Sequence, residues 1–254
     1  RLVDTIVKLY ERLSKCGRAW IVEDSVLLDL ATSGSGAAHE FYRVRDALRL
    51  RDGRVVVADE GSGEVRFFSA AGELIAVRGR KGQGPGEFRS LSTLSRWKGD
   101  SVAVFDARLR RATVLSESGG VRTVPVHVPA FDVLHLRASP DWGFVGFFSP
   151  VDEARQGPSP EPEAYRVTFC VLHLDSEGAV TDTLGSVRGY EGYRTPSLNM
   201  HLVISKDAHL SVFGPDLVLG SADLMEYDRY KPMVGQYQRT RVPHFHLPLS
   251  ESLI

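Results

Sequence analysis

Cysteine is scarce: Cys16 and Cys170 are the only two in 254 residues. They share no metal-ligand spacing and fall in unrelated parts of the chain, so neither a zinc site nor a disulfide framework is indicated. Excess charge is also missing, with 31 Lys plus Arg against 32 Asp plus Glu. That balance argues against a dominant electrostatic pull toward nucleic acid or acidic membranes, so no nucleic-acid partner is expected. No run approaches the ~18 apolar residues of a membrane-crossing helix. No export signal is visible, although the chain begins at Arg1 and an upstream segment is left open. HExxH and GxSxG are both absent, which removes the compact zinc-protease and serine-hydrolase signatures.

What the chain does have is an internal repeat. Asp52-Gly53 forms a turn signal, followed by Val55-Val56-Val57-Ala58 and then Asp59. Lys98-Gly99-Asp100 opens a second copy, followed by Val102-Ala103-Val104-Phe105 and then Asp106. Gly53 and Gly99 lie 46 positions apart, and Asp59 and Asp106 lie 47 apart. Strand ends at Phe68 and Leu115 keep the same interval, and Ala71-Gly72 and Gly119-Gly120 supply the next turns. Short Val- and Phe-rich runs bounded by Gly, Asp and Ser are strands of an antiparallel meander. A period of about 40 to 50 residues built from such strands predicts an all-β fold, a β-propeller of four-stranded antiparallel blades.

Two further units are degenerate. Asp141-Trp142-Gly143 opens a third, with Phe144 to Phe148 as its inner strand. Tyr165 to Leu174 and Ala179 to Leu184 supply outer strands, and Ser149 to Ala164 reads as an inserted surface loop. A fourth runs from about Leu202 to Val242, with strands at Leu217 to Leu219 and Met225 to Asp228. Ahead of the clear copies, strand-like Val26 to Leu30 suggests an incomplete blade. The expected division is therefore a tail or short helix over 1–19 and a propeller over 20–254, with units near 20–47, 48–90, 91–132, 133–190 and 191–242.

The decapeptide Gly79 to Phe88, preceded by Val56-Val57-Ala58-Asp59 and Val65-Arg66-Phe67-Phe68, resembles the NHL repeat. It contains that family's glycine-rich connection of the GxGPGEF kind, its "VAD" strand and its "RIQVF"-like strand. More narrowly the chain looks like bacterial six-bladed propellers related to NHL proteins, with the resemblance most specific over Phe41 to Leu115. This resemblance implies a six-bladed ring and an extracytoplasmic location. NHL units often carry an Arg five residues after the strand-end Asp. Arg111 meets that spacing after Asp106, whereas Glu64 stands there after Asp59, so the resemblance implies one such Asp–Arg contact, in the second unit. Six blades of this period need roughly 270 to 290 residues, so a truncated ring of four or five blades is expected.

Candidate site residues follow from side-chain chemistry. The glycines of Gly79 to Phe88 do not make a Walker loop, because Lys81 precedes Gly82 and the segment joins strands; they permit unusual φ and close packing instead. Asp59 and Asp106 end strands near one face of the ring. They are either turn caps accepting backbone N–H bonds or, in an alternative reading, channel ligands for Ca²⁺ or Zn²⁺. His244-Phe245-His246 places two rings on one face but gives an incomplete metal site. His127, His135, His201 and His209 are left to be brought together, or not, by the fold. Trp142, Phe147, Phe148 and Tyr165 cluster beside the Pro-rich insertion; they are either core or a binding patch for a protein, peptide or glycan. The functional expectation is a recognition scaffold without a cofactor. The alternative is a metal-dependent propeller hydrolase or lyase of the lactonase or amidating-lyase kind.

Overall fold

A computed structural model of the chain describes residues 26–30, 36, 39–151, 157–202, 206–223, 226–232 and 234–241. The expected N-terminal helix, Cys16 and the His244–His246 pair lie outside these residues. The strands among them form four successive antiparallel meanders. The first blade is β1 (Val44–Arg49), β2 (Val55–Asp59), β3 (Glu64–Phe68) and β4 (Leu74–Arg78). The second is β5 (Leu91–Arg96), β6 (Val102–Asp106), β7 (Arg111–Leu115) and β8 (Val121–Pro125). The third has five strands: β9 (Phe131–Ser139), β10 (Gly143–Pro150), β11 (Glu163–Leu174), β12 (Val180–Arg194) and β13 (Asn199–His201). The fourth is β14 (Ala208–Phe213), β15 (Asp216–Ser221), β16 (Glu226–Lys231) and β17 (Gln236–Arg241). The protein is a β-propeller, with four blades among its described residues.

The blades face one another across three apolar seams. Val56, Phe67, Phe88, Leu91, Val104 and Leu115 fill the first. Phe105, Val124, Leu136, Phe144 and Leu174 fill the second, where Trp97 stacks on Phe144 with ring centroids 5.1 Å apart. The third is packed by Trp142, Phe147, Phe169, Leu210 and Leu217. Strands β2, β6 and β10 are covered on both faces and therefore read as unbroken apolar runs. Burial of each large side chain in these seams contributes about 1.5–3 kcal/mol.

The repeat is real, but its strand register differs from the sequence expectation by one. Runs such as Val102–Phe105 and Phe144–Phe148 are second strands; the inner ones are β1, β5, β9 and β14, whose contacts join blade to blade. Val44–Arg49 is thus the inner strand of the first blade, and Val26–Leu30 forms no strand. Inner strands escaped notice because they carry Asp, Arg and Ser among their apolar residues, as the next section explains.

Asp59 and Asp106 fix each inner strand to its blade by the same device. Asp106 accepts N–H bonds from Arg89 (2.6 Å) and Ser90 (3.2 Å) just before β5, and from Arg108 (3.0 Å) and Leu109 (2.9 Å) in the turn after β6. Asp59 does likewise with Tyr42, Arg43 and Gly61, and adds the Ser62 hydroxyl. Serine, a weaker acceptor, stands at the matching strand ends of the other blades, Ser149 and Ser221, which is why those units look degenerate. The glycine-rich connection is locked in turn. Glu87 accepts from the N–H groups of Gln83 (3.0 Å) and Gly84 (2.8 Å), while Arg111 donates to the carbonyls of Gln83, Gly84 and Glu87. Arg111 therefore serves the loop and not Asp106, contrary to the expected contact. It is Arg66, buried beneath the Phe41 ring, that approaches a strand-end acid, at 3.8 Å from Asp59. A Cβ at Gly79, where φ is +86°, would lie 2.5 Å from the Phe88 ring, so that position requires glycine.

Candidate functional site: the axial channel

The four inner strands surround a solvent-open cavity of about 720 Å³. Its wall is formed by Asp46, Leu48, Leu94, Ser95, Arg137 and Ser211, and its rim by the turns that follow each inner strand. A strand beside such a channel meets water on part of its surface, so polar side chains belong there. One of them organises the whole site. Arg137 on β9 donates Nη1 to Asp46 Oδ2 on β1 (2.8 Å) and to the Leu94 carbonyl on β5 (2.9 Å). Its Nε reaches the Leu210 carbonyl on β14 at 3.4 Å. A single guanidinium thus touches all four blades. Asp46 Oδ2 also accepts the N–H of Leu94 (2.9 Å), closing the triangle. Two further links between the second and third blades reinforce it: Thr93 Oγ1 donates to the Leu136 carbonyl, and Ser95 Oγ accepts from Ala138 N–H.

Rim charges are partly committed. Arg54 bridges the first two blades, pairing with Asp52 (2.6 Å), Asp100 (2.8 Å) and Glu117. Its side-chain hydrogen bond holds the Asp52 carboxyl below the usual carboxylate range. Arg96 donates to the backbone carbonyl of Arg49. Lys98, Arg51 and Asp141 also line the rim and have no charged partner among the described residues.

The residues singled out from sequence lie elsewhere. Neither Asp59 nor Asp106 lines the channel; both are wholly buried, and backbone donors occupy their oxygens. Burial by itself pushes the Asp59 carboxyl up, but its four hydrogen bonds outweigh that and hold it below the ordinary value. Among the described residues no three His, Cys, Asp or Glu side chains gather in metal-binding geometry. Trp142, Phe147 and Phe148 are core rather than patch. Neighbours on one strand point to opposite faces, so Phe148 enters the second seam and Phe147 the third, where it stacks on Phe169 at 5.4 Å. Trp142 directs its indole N–H to the Pro215 carbonyl at 3.0 Å. Tyr165 alone of the four is partly exposed, with its hydroxyl on Asn199 (2.8 Å) and the Arg194 guanidinium over its ring. Of the histidines, His135 sits two residues before Arg137 on β9. Water reaches its ring, yet desolvation by the surrounding blades, aided by Arg137 and His209 and opposed by Asp207, holds the imidazole below its ordinary value. His201 packs instead on Tyr190, at 4.4 Å between ring centroids.

No protein-family profile matches the chain, and no curated protein is significantly similar to it. Solved structures with a similar course of chain include a Bacteroides fragilis protein described as exported, with a TM-score of 0.45 and 12% identity over 82% of this chain and 73% of that one. A streptogramin B lyase gives 0.41 and 9% over 80% and 70%, and the virginiamycin B lyase of Staphylococcus aureus 0.37 and 8% over 80% and 85%. At these scores the likeness carries no inference about activity. Among the described residues no helix is long and apolar enough to cross a membrane.

Proposed function

We propose that this protein is a recognition scaffold of the NHL-like propeller type, and that it holds a protein or peptide segment in the mouth of its axial channel. The observation that supports this most is the channel itself: a cavity of about 720 Å³ whose wall is fixed by one guanidinium bonded to every blade. Preorganised polar walls favour binding because little ordering is left to be done when the ligand arrives. Three of the four acids on wall and rim are engaged, Asp46 by Arg137 and Asp52 and Asp100 by Arg54, an arrangement suited to holding shape rather than to proton transfer. A glycan is the poorer fit. Among the described residues Trp97 is the one aromatic lining the cavity; it is 8% exposed and stacked on Phe144, so these residues offer no open ring face to a sugar. An extracytoplasmic location belongs to the same reading and rests on the sequence resemblance.

Ser211→Trp tests the proposal, because Ser211 is an exposed wall residue whose enlargement obstructs the channel. Peptides selected from a random array on the native protein should bind the variant at least about tenfold more weakly, a loss of roughly 1.4 kcal/mol. Thermal stability should be nearly unchanged, as for most surface substitutions. Array hits that bind both proteins equally well would show that recognition lies elsewhere.

A further inference from the structure

We infer that the channel site selects a peptide segment bearing a carboxylate side chain. This rests on the channel being the recognition site and adds the chemistry of what is recognised. Arg137 carries five N–H donors in a rigid fork. Those on Nη1 and Nε are directed to Asp46, Leu94 and Leu210, whereas Nη2 makes no hydrogen bond among the described residues. The side chain lines the cavity and keeps 28% of its surface accessible, so a fixed, planar, positively charged pair of N–H groups remains for an incoming oxygen. Two wall hydroxyls point to the same preference. Ser95 and Ser139 are 7% and 1% exposed, and their oxygens accept the N–H groups of Ala138 (3.0 Å) and Asp141 (3.3 Å). Each hydroxyl proton is thereby left to be donated.

The rim has the same bias. Lys98 and Arg51 have no ionic partner among the described residues, and Arg96 is bonded to a neutral carbonyl, while Asp141 is the one acid of the rim without a cation. Unspent donors and cations thus exceed unspent acceptors. An ionised Asp or Glu side chain, which only accepts, matches that surplus; a Lys or Arg side chain would add donors to donors.

The test is calorimetric titration of the full chain at low salt with N-acetylated, C-amidated tetraglutamate, tetraglutamine and tetralysine. Tetraglutamate should bind at least about tenfold more tightly than tetraglutamine, with affinity falling as added salt shortens the screening length. Lys98→Glu and Arg51→Glu, both exposed and outside the packed seams, should each weaken tetraglutamate about two- to fivefold, as for other solvent-exposed charge pairs. Arg137→Lys, which keeps the charge but not the fork, should weaken it further; should that variant unfold, the two rim variants still decide. Equal binding of the glutamate and glutamine peptides, preference for tetralysine, indifference to both rim reversals, or no binding of any peptide overturns the inference. Binding that lacks a charge preference yet is blocked by Ser211→Trp would leave the scaffold reading standing and this inference refuted. Tetraglutamate binding untouched by Ser211→Trp would remove the channel as the site altogether.

Discussion

Replacing Asp106 with alanine is expected to lower the free energy of unfolding by about 3 kcal/mol or more, since each buried donor left without a partner costs roughly 1–3 kcal/mol. Four backbone N–H groups converge on this carboxylate, two from the entry to β5 and two from the turn after β6. Water entering the vacated space would recover part of the loss for some of them. Asparagine should rescue little. One edge of the amide carries its own N–H groups, and these would face the donors that the second carboxylate oxygen now satisfies. Urea unfolding of the three proteins decides the matter. A loss below about 1 kcal/mol, the usual size for a surface substitution or an isolated hydrogen bond, would mean that the acid is not the fastener described here.

Asp59 adds a pH signature to the same device. Its carboxyl titrates lower in the folded chain than in the unfolded one. Stability from this group is therefore fully present above the unfolded value near 4 and is lost as pH falls through the lower folded value. Asp59→Asn should flatten the acid limb of the stability profile below about pH 4 relative to the native chain.

The second large effect is expected at Gly178, in the turn between β11 and β12. Its φ is +87°, and a Cβ there would lie 2.1 Å from the Pro125 carbonyl oxygen at the end of β8. The obstacle is backbone belonging to the neighbouring blade, so relief requires the second and third blades to move apart. Gly178→Ala should cost about 3 kcal/mol, combining left-handed strain of order 1 kcal/mol with loosened packing along that seam. Gly220→Ala is the matched control: it lies in β15, requires no left-handed φ and meets nothing within 4 Å. It should remain within about 0.5 kcal/mol of the native protein. Equal melting of the two variants would contradict the inter-blade contact.

These examples show which parts of the molecule the chain announces. Second strands were legible because neighbouring blades cover both their faces, leaving apolar runs such as Val102–Phe105 between turn residues. Asp59 and Asp106 were legible as landmarks, since their device recurs with the same offsets to the donors of Tyr42 and Arg43 and of Arg89 and Ser90. Inner strands were not. Val44–Arg49 and Leu91–Arg96 border the channel and the polar links across it, so their patterns alternate imperfectly and suggest loops. The candidate site was hidden for a related reason. Asp46 and Arg137 stand 91 residues apart and meet only because the blades curve around a common axis. The available signal was a charged residue within each of two strand-like segments, Val44–Arg49 and Phe131–Ser139, where exposure to a channel is the physical explanation. Trp142, Phe147 and Phe148 mark the opposite limit: aromatic clustering in sequence is the same for a core and for a patch, and here the seams absorbed it.

The central claim is that recognition occurs at the channel mouth. It is tested most directly by amide NMR spectra of the full chain, recorded with and without saturating tetraglutamate. Shifts concentrated at Arg51, Leu94, Ser95, Lys98, Arg137 and Ser211, with the outer strands β4, β8, β13 and β17 unmoved, are the predicted result. Shifts confined to those outer strands, or no shifts at all, would contradict it.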